Sequence, residues 1–152
     1  MQRIETVATD LTNPKRAIPT FRRKVITVKS DDSLAAVLQL VDEHDFSQFP
    51  VYRGDRFVGL LTENGITRWL AHHVSTAISL VELEDVPVRS VVREEETSKN
   101  VEFLRPGAAV DDVVEAFRRN PVLEAVFFTL NGGRQEAPLG VATQWDVLGH
   151  LS

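Results

Sequence analysis

Two stretches of the chain place a threonine at the end of an apolar run and start a helix-forming segment directly after it. One of them, GVATQWDV from Gly140 to Val147, carries Asp146 three residues after Thr143. A strand that turns into a helix leaves backbone N–H groups unpaired, which makes such a corner a natural place for an anion. Thr143 could add a hydroxyl there, and the Asp146 carboxylate could accept hydrogen bonds from the two hydroxyls of a ribose.

The same two residues also suit a purely structural role. Thr-x-x-Asp is a variant of the helix capping box, in which Thr143 binds an N–H group of the first turn and Asp146 reaches back to the backbone. Such a cap contributes about 1 kcal/mol. Residue types and spacing leave both roles open, and one corner can serve both.

The other stretch, GLLTENGI from Gly59 to Ile66, is a weaker version of the corner. Gly65 stands where the second copy has Asp146, so the acceptor for ribose hydroxyls is missing. Glu63 puts a negative charge where an anion would approach, and Asn64 offers only a neutral hydrogen bond. We therefore expect one good ligand site in the second copy and a weaker one around Thr62 and Asn64.

The duplicated corner belongs to a longer internal repeat. Apolar residues recur at helical spacing in both halves, and each helical face lies between two β-type runs. The faces consist of Leu34, Val37, Leu38 and Val41 in the first half and of Val110, Val113, Val114 and Phe117 in the second. The runs before them are Val25–Val28 and Val101–Leu104, and FPVY and AVFF follow. Gly54-Asp55 and Asn131-Gly132-Gly133 then predict hairpin turns before the final strands.

Each repeat therefore reads β-α-β-β-α, an α+β fold in two copies. We expect residues 1–74 to hold an N-terminal segment and the first repeat, residues 75–99 a connector, and residues 100–152 the second repeat. The apolar part of the connector predicts a packed segment, and the charged run REEETSKN predicts a solvated loop. Neither repeat alone can bury a comfortable core, so the two should fold as one body.

Composition excludes several classes of function. The chain has 152 residues, a net charge of -5 and no cysteine, which argues against a broad nucleic-acid surface and rules out disulfides and thiolate chemistry. No apolar run approaches the ~20 residues of a membrane span, so we expect a cytoplasmic protein. No enzyme motif is present, and we expect no catalysis. We also expect no metal site, because the adjacent His72 and His73 diverge on a helix.

The ordered set in two copies resembles the tandem cystathionine-β-synthase (CBS) domain pair, or Bateman module. The resemblance rests on the strand and helix, on FSQFPVY (Phe46 to Tyr52) and on the G-h-h-T-x-x-D corner; it covers about Lys24 to Leu70 and Asn100 to Leu151. It implies two repeats related by a pseudo-two-fold axis, with a ligand cleft between them. The family pattern assigns Thr143 to phosphate or ribose and Asp146 to ribose. It places the base between apolar strand residues, here Val101, Phe103, Ala125 and Val141.

The resemblance also implies a function. Such modules are commonly non-catalytic sensors of AMP, ADP, ATP or other adenosyl compounds, and they commonly form homodimers that regulate an effector protein. A cyclic dinucleotide receptor and a ligand-free dimeric scaffold are the alternatives. Apolar residues on the corner helices favour dimerisation: Trp69, Leu70, Trp145 and Leu148. Arg22, Arg23 and Lys24 could reach a phosphate, but we expect a solvated basic cluster.

Overall fold

The computed structural model describes residues 15–44, 48–73, 80–92 and 99–149. The chain divides into two compact units, each described here by itself. The first-repeat unit is Ile26–Lys99, and the second-repeat unit combines Met1–Val25 with Asn100–Ser152. This division differs from the boundaries expected from the sequence, because the N-terminal segment groups with the second repeat.

The first-repeat unit follows the order β-α-β-β-α and adds the connector to it. Its elements are β1 (Val28–Lys29), α1 (Leu34–His44), β2 (Gln48–Arg53), β3 (Arg56–Thr62), α2 (Glu63–His73), α3 (Leu80–Glu84) and a 3₁₀ turn (Val88–Ser90). β1 pairs with β2 in parallel, and β2 pairs antiparallel with β3. Gly54 makes the hairpin turn at a φ of 61°, a left-handed conformation that glycine adopts without a Cβ clash.

The first helix starts where the sequence predicts. The hydroxyl of Ser33 accepts the N–H of Ala36 at 3.1 Å, and Leu34 and Val37 are fully buried on the core face. The strand before it is later and shorter than the predicted Val25–Val28, since only Val28 and Lys29 pair with β2. Val25 is the last residue of the N-terminal segment, which groups with the second-repeat unit, so the residues before it lie with the second-repeat sheet and not with β1.

The connector packs into the first-repeat core, as its apolar pattern predicts. Leu83, Val88 and Val91 are buried in the same hydrophobic cluster as Leu34. The N–H of Leu34 donates to the carbonyl of Val86 at 2.8 Å, which ties the connector to the start of α1. Residues 93–98 of the predicted charged loop lie outside the described residues, as do residues 46–47 of FSQFPVY.

The second-repeat unit contains β4 (Val101–Leu104), α4 (Val110–Arg119), β5 (Ala125–Phe128), β6 (Gly140–Thr143) and α5 (Gln144–Leu148). β4 and β5 are parallel, and β5 and β6 are antiparallel, which repeats the order of the first sheet. Asp112 caps the start of α4 by accepting the N–H of Ala109 at 3.2 Å. The α+β class and the duplicated β-α-β-β-α unit are confirmed.

The N-terminal segment completes the second-repeat core. Ala17 and Phe21 are buried there, and the ring of Phe21 stacks on that of Phe128 with centroids 5.7 Å apart. The N–H of Ala17 donates to the carbonyl of Ala108 at 2.7 Å, and Arg22 forms a β-bridge with Gly140. A Cβ at Gly140 would overlap the carbonyl oxygen of Phe21, so only glycine lets the two backbones pass this closely.

Candidate functional site

The strand register of the second-repeat sheet gathers the predicted base-contacting residues on one face. Cross-strand pairing puts Val101, Ala125 and Thr143 in one row and Phe103, Phe127 and Val141 in the next. Paired residues point to the same side of a sheet, as do residues two apart along a strand. Val101, Ala125 and Phe127 are buried, whereas Phe103, Val141 and Thr143 are half-buried.

The opposite face of this sheet belongs to the core. Val126, Phe128 and Ala142 point that way and pack in one cluster with Val113 of α4 and Val147 of α5. The candidate ligand face therefore points away from both helices of its own repeat. Phe127 was not among the predicted site residues, although its position two after Ala125 places it on the same face.

Thr143 and Asp146 meet at the end of β6. The Oδ2 atom of Asp146 accepts two hydrogen bonds from Thr143, one from the backbone N–H at 2.8 Å and one from the side-chain hydroxyl at 3.0 Å. The acid thus reaches back to the backbone as a capping box requires. The structural role considered from the sequence is present, and it occupies one carboxylate oxygen.

Arg23 binds the other carboxylate oxygen. Its Nη2 atom lies 2.6 Å from Asp146 Oδ1, with 38% of the arginine side chain and 23% of the aspartate side chain exposed. Arg22, Arg23 and Lys24 are all exposed, as expected of a solvated basic cluster, but Arg23 also binds Asp146. The sequence signal was the run Arg22-Arg23-Lys24, but only the return of the N-terminal segment to the second repeat shows which charge reaches the corner.

A second arginine lies at the far end of the same sheet face. The guanidinium carbon of Arg134 is 5.4 Å from the ring centroid of Phe103, within cation–π range. Arg134 comes from the longer hairpin loop of the second repeat, which turns at Gly132 with a φ of 76°. Sequence reasoning noted the turn and missed the arginine, because loop geometry decides where its side chain points.

Glu136 holds that loop together. Its carboxylate accepts the N–H of Gly133 at 2.8 Å, the N–H of Asn131 at 3.1 Å and the side-chain amide of Asn131 at 2.7 Å. The bond from Gly133, followed by those from Asn131, holds the pKa of Glu136 below its ordinary value. Thr129 adds a hydrogen bond to the Gly133 carbonyl at 2.9 Å.

The first-repeat corner is built differently. The hydroxyl of Thr62 accepts the N–H of Gly65 at 2.9 Å, so it acts as a helix cap, and Gly65 has no side chain that could reach back to Thr62. Asn64 is exposed in the first turn of α2. Gln48 lies opposite Thr62 across the strands, whereas Thr143 faces the small Ala125. The sequence did not reveal this difference in register between the two sheets.

The histidines and tryptophans of the corner helices differ in their surroundings. The ring of Trp69 stacks on His73 at 4.4 Å, and His72 is exposed. Trp145 is 81% exposed. Within the described ranges, no three His, Asp or Glu side chains come together as a metal site. None of the helices in those ranges has the length and hydrophobicity needed to cross a bilayer.

Comparisons with known proteins agree with this duplicated fold. The model of the CBS domain family matches residues 16–72. The CBS domain of a Sphaerobacter thermophilus CBS domain containing membrane protein superposes with a TM-score of 0.71 at 22% identity, covering 99% of this chain and 96% of that one. A Thermoplasma acidophilum CBS domain protein of unknown function gives 0.66 at 21% identity, with coverage of 91% and 70%.

A third structure is a Methanocaldococcus jannaschii protein described as a candidate archaeal homologue of γ-AMPK. It superposes with a TM-score of 0.67 at 19% identity over 99% of this chain, which spans 52% of that longer protein. No curated protein matches this chain in sequence. The chain thus matches the CBS domain family over residues 16–72, and over nearly its whole length it has the fold of solved CBS-domain structures, as the resemblance seen in the sequence implies.

Proposed function

We propose that this protein is a non-catalytic regulatory module that binds an adenine nucleotide on its second repeat. The observation that carries the proposal is the meeting of Thr143 and Asp146 with the face of Val101, Phe103, Ala125 and Val141. The apolar face suits a base, and the carboxylate suits the ribose hydroxyls. Likeness to a candidate γ-AMPK homologue favours AMP, ADP or ATP among adenosyl ligands.

The chemistry of the site is recognition without bond breaking. The base gains from burial against apolar side chains, and Asp146 gives orientation because its Oδ1 atom can accept a ribose hydroxyl. Ligand binding can regulate an effector protein only if the effector binds the ligand-bound and the ligand-free module with different affinities. The effector is a separate protein in this proposal.

Asp146→Asn tests the site. We expect the variant to weaken AMP binding by about 1 to 3 kcal/mol, since a charge-assisted hydrogen bond is lost. The stability of the ligand-free protein should change by less than about 1 kcal/mol, because the amide still caps Thr143 and exposed ion pairs contribute little. Calorimetric titration with AMP, ADP, ATP and cyclic di-AMP measures the first effect, and urea denaturation measures the second.

Asp112→Asn is the matched control. Asp112 caps α4 in the same manner but lies outside the ligand face, so this variant should keep full nucleotide affinity. Equal affinities of the wild type and Asp146→Asn would contradict the proposed site. Tight binding of cyclic di-AMP alone would favour a cyclic dinucleotide receptor.

Homodimerisation is the second part of the proposal, and exposed apolar surface on the second repeat supports it. Trp145 is 81% exposed and Leu148 is 54% exposed. Leu148 lines a groove of about 360 Å³ with Val114, Phe117 and Val147. Large exposed apolar side chains on one short helix favour an interaction site there. The same surface would serve a ligand-free scaffold, so dimerisation and nucleotide binding need separate tests.

Trp145→Glu tests the dimer. We expect light scattering at micromolar concentration to report a dimer for the wild type and a monomer for the variant, because a charge would be buried at the interface. Val122→Glu is the control, since Val122 is 58% exposed and does not belong to a corner helix. A monomeric wild type would overturn the proposal, and so would loss of the dimer in both variants.

A further inference from the structure

The ion pair between Arg23 and Asp146 places a cation inside the candidate ligand site. Asp146 Oδ2 is committed to Thr143, so a ribose hydroxyl must approach Oδ1, where Arg23 Nη2 lies at 2.6 Å. A carboxylate oxygen can accept more than one hydrogen bond, so Oδ1 can accept a ribose hydroxyl while it still accepts Arg23. The Arg23 guanidinium therefore lies next to any ligand that binds Asp146.

The backbone around Arg23 is firmly placed. Phe21 is buried against Phe128, and Arg22 bridges Gly140 at the first residue of β6. The N–H of Arg22 also donates to the carbonyl of Pro19 at 3.1 Å. Arg23 follows this bridged residue, and its long side chain reaches Asp146 beyond the end of the same strand. The fold therefore sets the backbone position from which the Arg23 side chain extends.

We propose that Arg23 makes the site selective for anionic ligands. It neutralises Asp146 when no ligand is bound, and it pairs with the phosphate of a nucleotide whose ribose occupies Asp146. This inference rests on the proposed function and narrows it, because it favours phosphorylated nucleosides over neutral or cationic adenosyl compounds. Arginine suits the role, since its planar fork binds phosphate oxygens in pairs and its charge is permanent.

The test compares AMP with adenosine, which differ by the phosphate alone. We expect the wild type to bind AMP more tightly than adenosine by about tenfold or more, the scale of a hydrogen bond to a charged group. Arg23→Gln should abolish most of this preference by weakening AMP and should change adenosine affinity by less than about twofold. The preference of Arg23→Lys for AMP should lie between those of the wild type and Arg23→Gln, because lysine keeps the charge and lacks the planar guanidinium fork.

Arg22→Gln is the matched control. It removes the same charge from the adjacent position without touching Asp146, and both affinities should stay at their wild-type values. Selective loss of AMP affinity in Arg23→Gln alone supports the inference. Unchanged AMP affinity, or equal losses for AMP and adenosine, overturns it while leaving nucleotide binding intact. A wild type that binds neither compound overturns the proposed function together with this inference.

Discussion

At the scale of single residues, Gly140 shows how one missing side chain makes room for the site. A Cβ there would overlap the Phe21 carbonyl and lie 2.9 Å from Ile18 Cδ1. The N-terminal segment could then no longer pass close to β6. Since Arg23 follows this contact directly, the glycine determines both a core contact and the charge at the corner.

Gly140→Ala should therefore destabilise the protein by about 1 to 3 kcal/mol, the usual cost of overpacking. Urea denaturation measures the change. The control is Gly107→Ala, because a Cβ at Gly107 meets nothing within 4 Å. Equal stability of Gly140→Ala and the wild type would show that the backbones can separate without loss.

At the scale of elements, the β5–β6 loop is held by a single carboxylate. Glu136 accepts hydrogen bonds from Gly133 and Asn131, and its pKa in the folded protein is lowered. A lowered pKa means that the ionised form stabilises the fold above the unfolded pKa, which is about 4.3. That stabilisation is lost as the pH falls through the folded value.

Glu136→Gln should consequently lower the melting temperature most near neutral pH, and its difference from the wild type should shrink below about pH 4. Melting curves across that range measure the difference. Glu115→Gln removes an equal charge from the exposed side of α4 and serves as the control. A wild-type–variant difference that does not change with pH would refute the assignment. The Arg134 contact on Phe103 should weaken in the same variant.

At the scale of the whole molecule, each compact unit draws on chain that lies outside its own repeat. The connector fills the first-repeat core with Leu83, Val88 and Val91, and the N-terminal segment fills the second with Ala17 and Phe21. Truncating a fully buried phenylalanine costs about 3 to 5 kcal/mol. The unit in which such a truncation lowers local stability is the unit that the segment stabilises.

We expect Phe21→Ala to lower hydrogen-exchange protection first in residues 100–149, although Phe21 precedes the first repeat in sequence. Phe49→Ala should act first in residues 26–92, because Phe49 is buried in the other core. Mass spectrometry of exchanged peptides separates the two patterns. Loss of protection in residues 26–92 after Phe21→Ala would contradict the observed grouping.

The sequence alone determined the repeated elements and most of the residues on the candidate face. Helical and strand periodicity depend on neighbouring residues, so the faces of α1 and α4 and the run from Val101 to Leu104 could be predicted from local patterns. The Thr-x-x-Asp spacing likewise predicted that Asp146 would reach Thr143. The periodicity and the Thr-x-x-Asp spacing both depend on residues close together in sequence, so they can be predicted from the sequence alone.

Only the tertiary structure decided which distant segments meet. Arg23 pairs with Asp146 because the N-terminal segment returns to the second repeat, and no local pattern encodes that return. Arg134 reaches Phe103 through a loop shaped by Glu136, and Gln48 lies opposite Thr62 through strand register. Contacts between residues far apart in sequence depend on how the cores close, which is why the placement of Arg23 and Arg134 emerged only from the folded chain.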